Sequence, residues 1–124
     1  MSLESSFSLP HDEGLLPSDL CRFSYFSSCV GTSPQQDLDD ILRVGMERNP
    51  QLGITGVISL EKGLFHQILE GRFADLEQLM ASIAKDRRHH SLVFGRARKI
   101  GVRSFSNWSL HQISPSQMTQ LEAS

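Results

Sequence analysis

The segment ITGVISLEKGLFHQILE, residues 54–70, predicts two antiparallel strands joined by a tight turn. Both arms are rich in β-branched and large apolar residues, which favour strands. The arms are Ile54–Glu61 and Leu64–Glu70. Between them, Gly63 can adopt the positive φ that a two-residue hairpin loop requires. This hairpin predicts the centre of a β-sheet.

The residues before the hairpin predict a strand and a helix. Polar and apolar side chains alternate over Cys21–Ser28, as in a half-buried strand. Ser33 followed by proline is a typical helix start, because serine caps the first turn and proline fits the first helical position. Asn49 precedes a second proline and avoids the α region, which ends the helix. We expect this helix to span residues 34–48.

The residues after the hairpin predict a second helix and two further strands. The helix follows Gly71, and its apolar residues recur at helical spacing. They are Leu76, Leu79, Met80, Ile83 and Ala84. The strands are expected at residues 91–100 and 108–113.

The order βαββαββ predicts an α+β domain of the ferredoxin-like class over residues 20–113. Two helices would cover one face of a five-stranded mixed sheet. Residues 1–19 show no sustained hydrophobic period and are interpreted as a flexible leader. Residues 114–124 are interpreted as a short tail with room for one or two helical turns.

The composition of the 124-residue chain is that of one folded domain, with 39% hydrophobic and 21% charged residues. A formal net charge of -2 without a long basic cluster argues against a nucleic-acid partner. No apolar run reaches the roughly 20 residues of a membrane span, and the amino terminus has no signal-like segment. The sequence therefore predicts a cytoplasmic protein with neither nucleic-acid nor membrane partners.

The sequence shows no recognisable catalytic or metal-binding motif. A nucleophile elbow, a zinc-protease helix and a glycine-rich phosphate loop are all absent. Cys21 and Cys29 lack companions at zinc-ligand spacing. The adjacent residues His89 and His90 point in different directions and do not easily share one ion. We therefore expect neither an enzyme nor a metal site.

Two polar residues stand on apolar strand faces. Gln67 shares a face with Phe65 and Leu69, and Tyr25 shares one with Phe23. A buried carboxamide or phenol has to form hydrogen bonds, because an unpaired polar group is costly in a core. Spacing alone leaves two interpretations open. The two side chains satisfy one another in an ordinary core, or a polar ligand meets both.

Four stretches of the chain narrow this choice. They are NPQLGITGV at residues 49–57, GLFHQILEG at 63–71, DRRH at 86–89 and RSFSNWSL at 103–110. Together with Tyr25, and in this order, they resemble the signature of the BLUF family of flavin-binding blue-light sensors. The resemblance covers residues 20–113. It implies that the sheet and the two helices sandwich a flavin, with FAD expected and FMN or riboflavin as alternatives.

The resemblance implies a photochemical role for two residues and a binding role for a third. Tyr25 matches the tyrosine that donates an electron to the excited flavin, and Gln67 matches the glutamine that bridges tyrosine and flavin. Asn49 matches the asparagine that holds the pyrimidine edge of the ring. A carboxamide suits that edge, because it offers both a donor and an acceptor. Under blue light Tyr25 would pass an electron and a proton, leaving the Gln67 amide rearranged and the absorption shifted to the red.

Five further residues match positions around the ring or in the readout strand. Arg88 matches a residue that approaches the flavin, and His89 one near its phosphate-bearing chain. Ile41 and Phe65 resemble apolar wall positions. Trp108, on the predicted fifth strand, is a candidate for the readout of the switch.

The chain departs from the family pattern at three places. Leu110 stands where the family often has methionine, and Gly45 where it often has a small hydroxyl residue near the asparagine. Few residues follow Ile113, whereas short members usually add a helical cap. The chain is then either a fragment or a protein that signals through a partner surface.

The output is expected to pass through contacts, either with a downstream signalling protein or between copies in a homo-oligomer. An exposed apolar sheet face around Phe26 and Ile68 is the surface expected to carry it. A flavin-free ferredoxin-like interaction module is the alternative function. A flavin reductase is a third hypothesis, although no dinucleotide fingerprint supports it.

Overall fold

The computed structural model describes residues 7–29, 33–85, 89–107 and 109–123. The strands are β1 (Leu20–Cys29), β2 (Thr55–Glu61), β3 (Leu64–Arg72), β4 (His89–Phe94), β5 (Arg98–Lys99) and β6 (His111–Gln112). The helices are α1 (Pro34–Arg48), α2 (Phe73–Lys85) and α3 (Pro115–Ala123), and a 3₁₀ helix covers Asn49–Leu52. The strand order is β4-β1-β3-β2-β6, with β5 also paired to β1. This is the predicted ferredoxin-like class.

The predicted hairpin forms the middle of the sheet. β2 and β3 pair antiparallel from Thr55 opposite Glu70 to Glu61 opposite Leu64. Lys62 and Gly63 both have positive φ, 51° and 78°, which is the loop geometry that matches the twist of a hairpin. β3 also pairs antiparallel with β1, so that it is bonded on both sides.

The outer edge of the sheet is shared by two short strands. β4 pairs with the second half of β1, and β5 pairs with Cys21 and Arg22 near its start. The single strand predicted at residues 91–100 is therefore wrong. The chain leaves the edge between β4 and β5, where Gly95 and Ala97 bond to β1 and to the leader. Within the described residues the sheet has six strands, of which β4 and β5 share one position beside β1, so that the predicted five positions are occupied.

The last strand is shorter than expected. Of residues 109–113, which the structure describes, His111 and Gln112 alone pair with β2, in the parallel direction, whereas the alternation predicted a strand over residues 108–113. Leu110 packs toward α1, and Ile113 lies in the cluster on the opposite face of the sheet. Trp108 lies outside the described residues.

α1 begins at the predicted serine cap and ends at the predicted residue, but Asn49 keeps α-helical backbone angles (φ -60°, ψ -41°), so the expected departure from the α region before Pro50 is wrong. The Ser33 side chain accepts a hydrogen bond from the Gln36 backbone N–H, and a proline occupies the first turn. At the other end the chain tightens into the 3₁₀ helix at Asn49, and Gly53 follows in the left-handed conformation. Among the described residues no helix is long and apolar enough to cross a membrane.

The two long helices cover one face of the sheet through separate clusters. α2 packs on β1 and on the far end of β3, around Phe23, Leu69 and Leu76. α1 packs on β2 and the start of β3, around Ile41, Ile58 and Phe65. The side chains that face these helices are the ones that strand alternation predicted.

The third helix covers the opposite face of the sheet. Met118 of α3 packs with Val57, Ile68 and Phe105, and Leu121 adds a partly buried contact. Ile68 is only 1% exposed, so the expected open apolar face is corrected at this residue. Phe26 on β1 lies on the same face of the sheet as Ile68 and remains 40% exposed.

Residues 7–19 are packed against the domain, so the flexible leader predicted for residues 1–19 is corrected over this range. Leu9 is 1% exposed and belongs to the α2 cluster. Its N–H donates to Glu77 of α2 at 3.0 Å. The backbone of Pro10 and Asp12 bonds to Ala97, beside β5. The remaining leader residues, 1–6, lie outside the described residues.

A buried ion pair joins β1 to β3 on the α3 face. Arg22 Nε and Nη2 donate to Glu70 Oε2 at 3.0 and 2.9 Å. The second carboxylate oxygen of Glu70 accepts from the Ser104 N–H at 2.8 Å, and Arg22 also donates to the Ser104 hydroxyl. The Glu70 side chain is fully buried and that of Arg22 is 10% exposed. Each charge is therefore neutralised by a group that the strand register brings opposite it.

Replacing Glu70 by alanine should lower the free energy of unfolding by about 3 kcal/mol or more, because the Arg22 charge stays buried without its partner. Urea unfolding followed by circular dichroism measures the loss. Glu61→Ala is the control, since Glu61 is exposed at the end of β2. A Glu70→Ala loss no larger than that of the control would contradict the role of the ion pair.

The contact between β3 and α3 predicts a pH dependence. His66 Nε2 lies 3.2 Å from Glu122 Oε2 of α3, and the ring of Phe26 stacks on the imidazole at 4.0 Å between centroids. Burial lowers the pKa of His66 below its ordinary 6.5, while Glu122 opposes that shift. The unfolded chain therefore binds the proton more readily than the folded one, so stability falls as the pH drops below about 6.5.

His66→Gln should reduce this acid sensitivity, because glutamine does not titrate. Urea unfolding at pH 7.5 and 5.5 would show a larger drop for the wild type than for His66→Gln. The exposed His111 supplies the control, and His111→Gln should follow the wild type. Equal drops for all three proteins would refute the proton linkage.

Candidate functional site

The register of β1 and β3 places Tyr25 directly opposite Gln67. Both side chains point to the face covered by α1 and α2, because their strand neighbours Phe23 and Leu69 lie in the α2 cluster. Tyr25 is 0% exposed and Gln67 is 3% exposed. The two polar residues singled out by their strand positions are therefore adjacent and buried.

Gln67 lies where the two helix clusters meet. Its neighbour Phe65 belongs to the α1 cluster, together with Ile41, and its other neighbour Leu69 belongs to the α2 cluster. The carboxamide thus stands between two apolar groups of side chains. A buried amide in such a place needs polar partners, and among the residues of the two clusters the phenol of Tyr25, directly opposite, is the polar group.

Asn49 follows the buried stripe of α1 and is 1% exposed. Its Nδ2 donates to the backbone oxygen of Ser109 at 2.7 Å. Its Oδ1 is buried and accepts no hydrogen bond from any residue within the described ranges. The amide nitrogen of Asn49 is therefore already hydrogen-bonded within the protein, whereas its oxygen can accept a hydrogen bond from a ligand.

The backbone around Asn49 is held from two sides. The Asn49 carbonyl accepts from the Ile54 N–H at 2.9 Å and also from the Gly53 N–H. Arg103 donates to the oxygens of Gly53, Thr55 and Glu70 at 2.7 to 2.9 Å. This arginine ties the start of β2 to the end of β3, which fixes the loop that carries Asn49.

Sequence reasoning missed the contact between Leu110 and Gly45. Leu110 Cδ2 lies 2.5 Å from the position that a Cβ on residue 45 would occupy. A glycine on the buried stripe of a helix was the available signal, since it permits a close approach by another side chain. The Ser109 contact left no such signal, because every residue has a backbone carbonyl.

Three of the predicted site residues lie wholly or partly outside the described ranges. Arg88 and Trp108 are not described. His89 begins β4 through its backbone, opposite Cys29 of β1, while its predicted ligand role concerns a side chain outside the description. Their roles stay predictions.

The polar groups that come together are neutral. The phenol of Tyr25 and the carboxamide of Gln67 meet on the helix-covered face, a second carboxamide is buried at Asn49, and no cluster of metal-ligating side chains occurs in the parts of the chain that the structure describes. Cys21 is buried, and burial followed by the charge of Asp19 raises the pKa of its thiol to about 11, which makes it a poor nucleophile. Such groups suit a neutral ring whose edge carries both acceptors and one N–H donor. The unpaired Asn49 Oδ1 fits a flavin ring, because it can accept a hydrogen bond from that N–H donor.

The family model described as "Sensors of blue-light using FAD", BLUF, matches residues 20–111. The match covers most of the chain, including Tyr25, Asn49 and Gln67. The chain belongs to the BLUF family, whose members are flavin-binding blue-light sensors.

Curated relatives agree with this assignment. The chain is 34% identical over 94 residues to photoactivated adenylate cyclase subunit beta of Euglena longa, covering 75% of this chain and 11% of that protein. It is 26% identical over 87 residues to the blue light- and temperature-regulated antirepressor BluF of Escherichia coli K12, covering 66% of this chain and 22% of that one. The chain therefore spans only a small part of these relatives.

Solved structures show the same fold. The dark-state structure of BlrB, a BLUF protein, superposes with a TM-score of 0.75 at 28% identity, covering 87% of this chain and 82% of that one. The photo-activated state of BlsA gives a TM-score of 0.74 at 30% identity, covering 82% of this chain and 74% of that one. These likenesses confirm the predicted ferredoxin-like sheet.

Proposed function

We propose that this BLUF domain senses blue light through Tyr25 and Gln67, with Asn49 as the residue that binds the flavin edge. The observation that carries the proposal is the direct pairing of Tyr25 and Gln67 across β1 and β3, buried between the two helix clusters. A flavin held beside Gln67 would meet both side chains, which is the ligand interpretation left open by the sequence.

When bound, the flavin supplies absorption of blue light and an electron acceptor. Tyr25 gives up an electron and its hydroxyl proton, and both return to the phenol as the ground state recovers. The Gln67 carboxamide can rearrange within this cycle so that its donor and acceptor exchange places. Hydrogen bonds to the ring then strengthen and shift its absorption to the red.

Asn49 would bind the ring through its buried Oδ1, because Nδ2 is already engaged by Ser109. An oxygen acceptor complements the single N–H donor on the pyrimidine edge. Ile41 and Phe65, which share a cluster beside Gln67, would form the apolar wall. Arg88 and His89 are proposed for the flavin and its phosphate-bearing chain on the family pattern alone.

FAD is the proposed cofactor, as in the description of the family, with FMN and riboflavin as alternatives. Extraction of the flavin from the purified protein and its chromatographic identification distinguish the three. Location in the cytoplasm stays a prediction from the sequence.

The purified protein should be yellow and show a reversible red shift under blue light. Tyr25→Phe should keep the colour and lose the shift, because the phenol supplies the electron and the proton. Ser27→Ala is the matched control, since it also removes a buried hydroxyl from the same face of β1 and should keep the shift. Absorption spectra before and after illumination measure both effects.

Two results would overturn this proposal. A protein that stays colourless after FAD is added would support the flavin-free interaction module instead. A Tyr25→Phe variant with an unchanged shift would leave the sensor in place and remove Tyr25 from its role.

We propose that the domain has no catalytic activity of its own and signals through protein contacts. The light-regulated relatives include cyclases far longer than this chain, in which the matching segment is a small part. Here the segment that carries Trp108 and Leu110 is the proposed link between the flavin site and the surface, because Leu110 packs directly against α1. A flavin reductase would instead consume a nicotinamide cofactor steadily.

A second copy of the chain is the proposed partner. Phe26 and Val93 are cross-strand neighbours on the α3 side of the sheet and are 40% and 61% exposed. Leu64 on β3 is exposed on the same side. This apolar edge, left open beside α3, is the proposed contact.

Light scattering coupled to size exclusion, in darkness and under blue light, tests this contact. We expect a dimer whose population differs between the two conditions and falls in Val93→Ser. Met46 on α1, which is 56% exposed, supplies the control, and Met46→Ser should behave as the wild type. A monomer in both conditions at high concentration would refute self-association.

A further inference from the structure

Leu110 is seated between two glycines on different elements. Its Cδ2 lies 2.5 Å from where a Cβ on residue 45 of α1 would stand, and its Cδ1 lies 3.3 Å from where one on residue 56 of β2 would stand. The side chain is 5% exposed. Its branched end therefore lies against backbone on both sides. A Cβ on residue 45 is excluded unless Leu110 moves.

The same short segment also holds Asn49. Ser109 immediately precedes Leu110, and its carbonyl accepts from Asn49 Nδ2 at 2.7 Å. Asn49 lies one helical turn after Gly45, and its N–H donates to the Gly45 carbonyl. Residues 109 and 110 thus contact Gly45 of α1 through a methyl group and, one turn further on, Asn49 of the 3₁₀ helix through a carbonyl.

This geometry decides which way the Asn49 carboxamide points. A backbone carbonyl only accepts, so the group facing Ser109 has to be the amide nitrogen. Asn49 Oδ1 is then the atom turned away from Ser109, buried and without a donor among the described residues. A shift of Leu110 that moves its backbone would also displace the adjoining Ser109 carbonyl, which fixes this orientation.

We propose that Gly45 and Leu110 are a matched steric pair that positions the Asn49 carboxamide for the flavin. Two of the departures from the family pattern are then one change, since a Cβ at residue 45 and Leu110 in its present position exclude each other. An unbranched methionine at residue 110 could bend away from a serine at residue 45, whereas the fork of leucine occupies that place. The consequence for flavin binding rests on the role proposed above for Asn49, but the steric pairing does not.

The pairing reverses the usual effect on stability of replacing a helical glycine by alanine. At an open helix position alanine stabilises relative to glycine. At residue 45 the added Cβ would meet Leu110 and cost more than the helix gains. The sign of the Gly45→Ala effect therefore distinguishes a packed glycine from an ordinary one.

A double-mutant cycle on the full chain tests the proposal with Gly45→Ala, Leu110→Ala and the double variant. Gly45→Ala should lower the thermal midpoint and shift the Asn49 side-chain NH2 signal in nitrogen-15 NMR spectra. It should also raise the flavin dissociation constant by roughly tenfold, the usual effect of one misplaced buried hydrogen bond.

In the double variant the alanine at residue 45 should cause no further loss of thermal stability or of flavin affinity. Its midpoint and its flavin affinity should equal or exceed those of Leu110→Ala, because the space that the Cβ needs is vacant. Gly45→Ser combined with Leu110→Met should likewise recover the Asn49 signal that Gly45→Ser alone loses. The exposed Met46, next to Gly45, supplies the control, and Met46→Ala should leave all three readouts unchanged.

Three results would overturn the proposal. A higher midpoint for Gly45→Ala would show an ordinary helical glycine, and additive losses in the double variant would show no coupling. A shifted Asn49 signal with unchanged flavin affinity would separate the pair from the cofactor. If the wild type binds no flavin, the proposed function fails, while the midpoints and the Asn49 signal still decide the pairing.

Discussion

The antiparallel pairing of β1 with β3 is the constraint on which the other features depend. The register is unbroken from Leu20 opposite Arg72 to Ser28 opposite Leu64. Because side chains alternate, a slip of one residue would turn Tyr25 toward α3 and Arg22 toward the apolar helix layer. The Arg22–Glu70 ion pair penalises that slip, since each charge is neutralised only in the observed register. The ion pair on the α3 face of the sheet thus stabilises the register that places Tyr25 opposite Gln67 on the other face.

Those parts of the fold that carry strong local signals could be predicted from the sequence. α1 is bounded by a serine cap and an Asn-Pro step, and the hairpin by a turn that tolerates positive φ. The packing of Leu9 and the length of α3 could not be predicted. Their apolar residues are isolated in the sequence, and only long-range contacts with α2 and the sheet bury them.

Some features of the candidate site could likewise be predicted from the sequence, whereas others could not. Tyr25 and Gln67 were found because a polar side chain on an apolar strand face is visible in the alternation. The hydrogen bond from Asn49 to Ser109 joins residues 60 apart in the chain through a backbone atom, which leaves no pattern in the sequence. Leu110 and Gly45 were visible as separate departures, yet only the structure shows that they touch.

The packed segment before β1 has a consequence for association between chains. Its backbone exchanges hydrogen bonds with Ala97, in the gap where the chain leaves the outer edge between β4 and β5. An uninterrupted edge strand would present a row of free N–H and C=O groups to which another chain could add a strand. Here Pro10 and Asp12 occupy part of that row, and His11 forms a single parallel bridge beside it. The residues that extend the core thereby also block the addition of another strand at this part of the sheet edge.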